Sequence, residues 1–537
     1  MMIASSEQQK RRLIIASNRG PIEHTLDKQG RLKPRRGAGG MVTALLPAAR
    51  YAPPGSFTWI AVAMTDADRM VAENQEADWK DGNHSLTQGS AESANGHRRP
   101  GTSDGQEREP SMRYVLVPPE VYERHYERIS NRILWFLHHY LWNTAEEPTF
   151  TTQTYKEWEQ GYKQTNEAIA EAVCEEIQRD SSPALVMFQD YHLYLAPGVV
   201  RECLRRDHRE DNVILQHFIH IPWPAVRYWQ LLPHFMLHAI YQSLLANDII
   251  GFQTTWDLSN FLTAVTELFP EARVRKDRQG GHISWQSHTT LARAYPISID
   301  LQEVREEAAR GARRYQTEMR RLLGEPTIVR VDRAEPTKNI VRGFQAFERV
   351  LQRRPDLVGK IKFLAFLVPS REGLPIYRRY QREIRNIIQR INANYARDGW
   401  KPIEIYFENN RARAMEAMRH YDVLLVNAVI DGMNLVAKEG PIVNQQDGVI
   451  ILSETTGAAR QLSEACLTVV PTDVEETTEA LIRALEMPAA ERHQRADWLR
   501  QSVEHASLEE WLKEQFADVE AVSQERAGQL TGQAGQR

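Results

Sequence analysis

Three cysteines in 537 residues, Cys174, Cys203 and Cys466, are too few and too far apart in sequence for a disulfide framework or a paired zinc-ligand spacing. Surplus charge of either sign is also missing. With 67 basic and 71 acidic residues the net charge is −4, so the chain as a whole has no field that would draw nucleic acid or an anionic membrane. Long apolar runs are absent too: the N-terminal MMIASSEQQKRRLIIASNRG has only LIIA between polar residues, and reads as neither signal peptide nor membrane span. No GxxxxGK occurs. The glycine run GAGG, Gly37 to Gly40, lacks the third glycine of GxGxxG and begins well after the first apolar strand, which excludes a dinucleotide fingerprint. What is present is an ordinary globular composition, 42% hydrophobic and 26% charged, in a chain too long for one core. These features predict two large domains in a reducing cytoplasm.

Short apolar strands alternate with longer helical patterns: RLIIAS, FTWIAVA, MRYVLVP, ALVMF, VILQHFIH and NDIIGFQ, then TIVRV, IKFLAFLV, IEIYF, VLLVNAV, GVIILSE and CLTVVP. The order predicts an α/β fold of parallel sheets covered by helices. ARAYPISID gives way near Asp300 to the charged helix beginning QEVREEAARG, which places a domain joint there, between 1–300 and 301–503. Residues 72–110 are polar and poor in aliphatics and predict a mobile insertion. Residues 504–520 are expected to form a helix returning to the first domain, and 521–537 a disordered tail.

In open parallel sheets ligands bind beyond the carboxyl ends of the strands, so the residues after each strand carry the chemistry. SNRG after the first strand offers Arg19. GAGG, ending at Gly40 before the helical VTALLPAAR, could bring backbone amides close to an anion. QDYHL offers Asp190 and His192, HIPWP offers His220 beside two stiffening prolines, and GFQT offers Gln253. In the second half, DRAEPTKN sets Arg333 and Lys338 on one loop, two fixed cations able to neutralise a leaving diphosphate, and PSREG adds Arg371. After the apolar Val423 to Val429 comes DGMNLVAKE. Its turn, Asp431 to Asn434, would present helix-starting N–H groups to an anion, and Leu435 and Glu439, four apart, share one helix face, where the carboxylate could accept from two ribose hydroxyls. So many polar strand ends in a two-sheet chain predict a cleft between the domains that binds phosphates and hydroxyls.

DGMNLVAKE, together with QDYHL, HIPWP, GFQT and YPISID in that order, resembles the trehalose-6-phosphate synthase family over about Leu13 to Val503. The resemblance implies a retaining glycosyltransferase of GT-B fold, two Rossmann-like domains facing a cleft. By it, Arg19, Tyr126, Trp135, Asp190 and Arg371 fall where the family binds the acceptor sugar phosphate. Gly40, Arg333, Lys338, Asp431, Gly432, Met433, Asn434, Leu435 and Glu439 fall on the donor side, and His220 and Gln253 line the two sugars. Four segments depart from the family pattern: Gln189 stands in place of the His of HDYHL, Ile430 in place of an Arg, DRAEPTKN replaces an RLDYSKG type of loop, and TWIAVA an FGWSG type. HIPWP and RxxPxKN are closer to the validoxylamine synthase branch, whereas DGMNLVAKE is intact.

The expected reaction is retentive transfer of glucose from a nucleoside-diphosphate glucose to glucose 6-phosphate, giving α,α-trehalose 6-phosphate. The catalytic candidates are Arg333, Lys338, His220 and Asp190, with no cofactor and no metal. The alternatives are a synthase of glucosylglycerol phosphate or of a pseudo-disaccharide phosphate, or a non-catalytic relative that binds sugar phosphate. Expected partners are a nucleotide sugar and a sugar phosphate, without nucleic acid or membrane, and a homo-oligomer is compatible with the sequence.

Overall fold

The computed structural model describes residues 10–36, 40–80, 110–322 and 326–534. They divide into two compact units, Met1–Tyr295 with Leu512–Arg537, and Pro296–Trp511. The chain crosses from the first to the second at Tyr295 and Pro296, five residues before the expected joint.

Unit 1 is built on β1 (Arg12–Ser17), β4 (Phe57–Val62), β5 (Ser111–Val115), β6 (Ala184–Gln189), β7 (Val213–Ile219) and β8 (Ile249–Phe252), with β9 (Arg273–Lys276), β10 (Gly280–Trp285) and β11 (His288–Ala294) extending one edge. The sheet order is β5-β4-β1-β6-β7-β8-β11-β10-β9. Every residue of β1, β4, β6 and β7 is buried, as their continuous apolar runs require of strands covered on both faces. The sheet is mixed, not wholly parallel: β10 runs antiparallel to both β9 and β11. A second antiparallel pair, β2 (Ile22–Leu26) with β3 (Leu32–Arg36), stands apart as a hairpin. Neither was legible from hydrophobic runs, because IEHTL, LKPRR and RVRK are polar strands with little buried surface.

Unit 2 has β12 (Thr327–Arg333), β13 (Lys362–Val368), β14 (Ile403–Phe407), β15 (Val423–Val426), β16 (Val449–Ser453) and β17 (Leu467–Val469), all parallel, in the order β14-β13-β12-β15-β16-β17. Phe344, Phe347, Phe363, Ile384, Leu425 and Leu481 lie in its core. β15 stops at Val426, short of the expected Val429, because Asn427 turns inward and donates to Asn339 O at 3.4 Å.

Two further expectations are corrected. Residues 72–80 belong to the helix Asp66–Lys80, and 81–109 lie outside the described residues. The last helix spans Leu508–Ala534, so 521–534 is ordered: Arg526 donates to Glu210 O and Val213 O, each at 3.1 Å, and pairs with the buried Asp248. Cys174 and Cys203, remote in sequence, meet as free thiols between the packed helices Gln164–Gln178 and Ala196–Arg206. Among the described residues no helix is long and apolar enough to cross a membrane.

Candidate functional site

Both sheets reverse their winding beside the first strand of the unit, between β1 and β6 in unit 1 and between β12 and β15 in unit 2. At such a switch point neighbouring loops part and leave a crevice at the carboxyl edge. Arg19 follows β1 and Asp190 follows β6; Arg333 ends β12 and Asp431 follows β15.

In unit 1, Trp59 donates to Ser17 Oγ at 2.7 Å, and Ser17 donates to Arg19 O at 2.6 Å, so the buried tryptophan of β4 fixes the Arg19 turn. Arg19 reaches the Tyr126 hydroxyl at 3.3 Å and lies 5.8 Å from the centre of that ring. From Tyr126 a row of rings leads inward: Tyr126 stacks on His192 at 5.7 Å, His192 lies 4.0 Å from Tyr191, and Tyr191 5.7 Å from Trp135. Tyr126 sits in an 11-residue π-helical stretch, Arg124–Leu134, that ends directly before Trp135. Such widened turns are uncommon and concentrate at functional sites.

Asp190 has φ 66°, an unusual backbone for a non-glycine residue. Its amide donates to Phe218 O at 2.8 Å, its carbonyl faces His217 Nε2 at 3.0 Å, and its Oδ1 accepts from the His220 amide at 3.2 Å. The loops after β6 and β7 are thereby tied together. His220 Nε2 lies 3.0 Å from Gln189 Oε1, and Gln253 Nε2 lies 3.4 Å from His220 Nδ1, which fits the tautomer with the proton on Nε2. Burial, reinforced by His217, pushes His220 down to about 3, so the ring is neutral at pH 7. Gln189, the departure from HDYHL, thus accepts the hydrogen bond of His220 Nε2–H. Gly40 opens the short helix Gly40–Leu45, and Gly37 to Gly39 lie outside the described residues.

In unit 2, Lys338 closes the β12 loop and pairs with Asp431 Oδ2, which also accepts from Asn434 Nδ2 at 3.1 Å. Burial works against the lysine's charge, but Asp431, Glu335 and Asp332 outweigh it and hold Lys338 above the ordinary lysine value. The loop is set from below by Arg330, wholly buried, which donates to Asp332 Oδ2 at 2.8 Å and to Lys338 O at 2.9 Å. Arg333 meets Glu335 Oε1 at 2.9 Å. Asn434 has φ 76°, and the DGMN turn packs so closely on Gly457 that a Cβ there would lie 1.8 Å from Gly432 O. Ala458 N donates to Met433 O at 2.9 Å. Glu439 lies in the helix Val436–Val443, which begins just after Leu435; its carboxylate is buried and accepts from Arg411 Nη2 at 2.8 Å. A buried, paired Glu439 removes the reading of a solvent-side helix residue. Arg371, grouped by sequence with the residues of unit 1, belongs to unit 2, where it has φ 47° and donates to the Tyr377 hydroxyl at 2.7 Å. Trp59, Gln189, Glu335, Arg411 and Lys438 do not stand out as site residues in the sequence; the only advance signal is that three of them sit inside recognised motifs. Among the described residues no group of three or more His, Cys, Asp or Glu is arranged to hold a metal ion.

Two α/β units of 3-2-1-4-5-6 strand order, each with cationic and carboxylate side chains at its switch point, define a glycosyltransferase of the GT-B class. The sequence matches glycosyltransferase family 20 over residues 11–521, and the chain belongs to that family. It is 30% identical to the trehalose-6-phosphate synthase of Citrobacter koseri over 417 residues, 76% of this chain and 82% of that one. It is 29% identical to the validamine 7-phosphate valienyltransferase of Streptomyces hygroscopicus subsp. jinggangensis, over 77% of this chain and 80% of that one. Among solved structures it is similar to an α,α-trehalose-phosphate synthase (UDP-forming) of Burkholderia xenovorans in complex with glucose-6-phosphate, with a TM-score of 0.73 and 25% identity over 94% of this chain and 99% of that one.

Proposed function

We propose that the protein transfers glucose, with retention, from a nucleoside-diphosphate glucose to glucose 6-phosphate, forming α,α-trehalose 6-phosphate in a reducing cytoplasm. The observation that carries this reading is the Lys338–Asp431 pair joining the β12 and β15 loops at the switch point, beside Arg333 and one turn before the helix of Glu439. Negative charge grows on the leaving phosphate as the glycosidic bond breaks, and fixed cations already oriented there stabilise it without reorganising. Arg333 and Lys338 supply that charge, so the reaction calls for no metal. Glu439 takes the ribose hydroxyls. On the acceptor side Arg19 binds phosphate, Tyr126 and Trp135 face the sugar, and Asp190 orients its hydroxyls; Arg371 is assigned to acceptor phosphate by the family resemblance. A neutral His220, with both ring nitrogens held by Gln189 and Gln253, lines the sugar site with its ring and does not act as an acid. The proton of the attacking hydroxyl passes to the departing phosphate on the same face.

A second reading, coupling of pseudo-sugars, is favoured by the HIPWP and RxxPxKN segments and by the valienyltransferase likeness. A matrix of UDP-, GDP- and ADP-glucose against glucose 6-phosphate, glycerol 3-phosphate, validamine 7-phosphate and glucose, with products identified by mass and NMR, separates the two. Disaccharide phosphate from glucose 6-phosphate supports the proposal. Equal use of free glucose, or transfer only to validamine 7-phosphate, overturns it.

A further inference from the structure

Glu335 lies between Arg333 and Lys338 in sequence, and its side chain is wholly buried. Oε1 receives Arg333 Nη2 at 2.9 Å and the Thr337 hydroxyl at 3.1 Å. Oε2 faces Arg371 Nη1 at 3.5 Å, within ion-pair range, and among the described residues makes no hydrogen bond. One carboxylate therefore touches two guanidinium groups from different segments, Arg333 at the last residue of β12 and Arg371 in the loop after β13. As a device for stability this is poor: burying a carboxylate with one oxygen incompletely bonded costs more than packing an apolar side chain of the same size.

We infer that Glu335 is a positioning residue shared by the two phosphate-directed arginines, orienting Arg333 through Oε1 and Arg371 through Oε2. The inference rests on the proposed function, which gives Arg333 to the donor diphosphate and Arg371 to the acceptor phosphate. With one anchor for both, the two guanidinium planes are set in register before either substrate arrives, and the entropy of aligning them is spent in folding and not in the reaction. Arg371 is further constrained by Tyr377 and by its left-handed backbone, so the carboxylate completes a three-point hold.

Positioning and simple charge neutralisation predict opposite results. Glu335→Gln keeps the size and one oxygen but raises the local charge by one unit and presents an amide nitrogen to one of the arginines. If Glu335 only offsets charge, both phosphates bind more tightly and turnover is kept. If it positions, turnover falls while ground-state binding is held or slightly improved. The test uses the full chain, with kcat and KM for both substrates and calorimetric binding of UDP and of glucose 6-phosphate. Glu335→Gln is expected to lower kcat at least tenfold with both dissociation constants within threefold of wild type. Glu335→Asp, which keeps the charge but withdraws it by one methylene, is expected to retain the fold and still lose turnover. In an Arg333→Ala/Arg371→Ala background nothing remains to be positioned, so adding Glu335→Gln is expected to change the residual rate less than threefold. Full kcat with tighter binding of both ligands, or an undiminished tenfold loss in the double-arginine background, overturns the inference. A wild-type protein that transfers no glucose at all fails the proposed function instead.

Discussion

Lys438 gives a prediction whose size can be worked from its surroundings. It stands beside Glu439 on the helix Val436–Val443, is wholly buried, and donates from Nζ to Ile297 O at 2.8 Å. Burial pushes it down from 10.5 to about 7. In the unfolded chain the same lysine titrates near 10.5, so between the two values the unfolded state binds more proton than the folded one, and stability rises with pH. The contribution is complete above about pH 10.5, is lost as pH falls toward 7, and is absent below. Each pH unit inside that window is worth up to about 1.4 kcal/mol, so from pH 7.5 to 9.5 this one side chain should add about 2 to 3 kcal/mol. Lys438→Met keeps the length and removes the titration. It also leaves Ile297 O without its donor, a pH-independent cost of about 1 to 3 kcal/mol, which makes the slope the observable and not the absolute difference. Urea and calorimetric unfolding of both proteins at four pH values from 7 to 10 should show the wild type gaining on the variant, by about 1 °C in Tm for each kcal/mol in a chain of 537 residues. Parallel curves would refute the reasoning, since they mean that the lysine carries its ordinary affinity for a proton inside the fold. The result bears on the donor side as well: a largely neutral Lys438 leaves Arg411 as the cation that meets Glu439.

Lys338→Ala should lower kcat by about 10²-fold, the size of losing one oxyanion donor, and raise donor KM much less; steady-state kinetics in which only KM moves would mean that the loop merely binds. Glu439→Gln should weaken nucleoside diphosphate by roughly 1.5 to 3 kcal/mol, the range for a hydrogen bond to a charged group, and leave glucose 6-phosphate nearly unchanged in calorimetric titrations. Equal losses for both ligands would point to a disturbed helix. Dialysis against EDTA should leave transfer largely intact, and full loss restored by a divalent cation would replace the arginine and lysine mechanism with a metal-assisted one.

The parts of this architecture legible in the sequence were those written in buried apolar runs and in the polar residues directly after them. RLIIAS, ALVMF and VILQHFI could only be central strands, and the residues after RLIIAS and ALVMF fell at the switch point because strand order 3-2-1-4-5-6 puts them there. Polar strands such as LKPRR and RVRK left no such trace, and the reach of the helix into 72–80 was hidden by a composition that resembles a linker. Side-chain partnerships across long stretches were beyond reach for a different reason. Arg411 and Glu439 are 28 residues apart, Lys438 and Ile297 141, and nothing in either local pattern announces the other. Glu335 is the instructive case: nothing in DRAEPTKN distinguishes it by sequence, and its burial between Arg333 and Arg371 reveals it as a partner of both.

The return of residues 512–534 to unit 1 has a bearing on synthesis. Unit 2 is one unbroken stretch, Pro296–Trp511, and can close its core as soon as that stretch has left the ribosome. Unit 1 must wait for residues 512–534: until they emerge Gln216 lacks Gln515, Tyr295 lacks the Asp518 carboxylate that accepts its hydroxyl at 2.6 Å, and Asp248, held by Arg201, lacks Arg526. Completion of unit 1 therefore waits on residues 512–534, and a ribosome that stops after Trp511 releases a complete unit 2 attached to a unit 1 without these three partners.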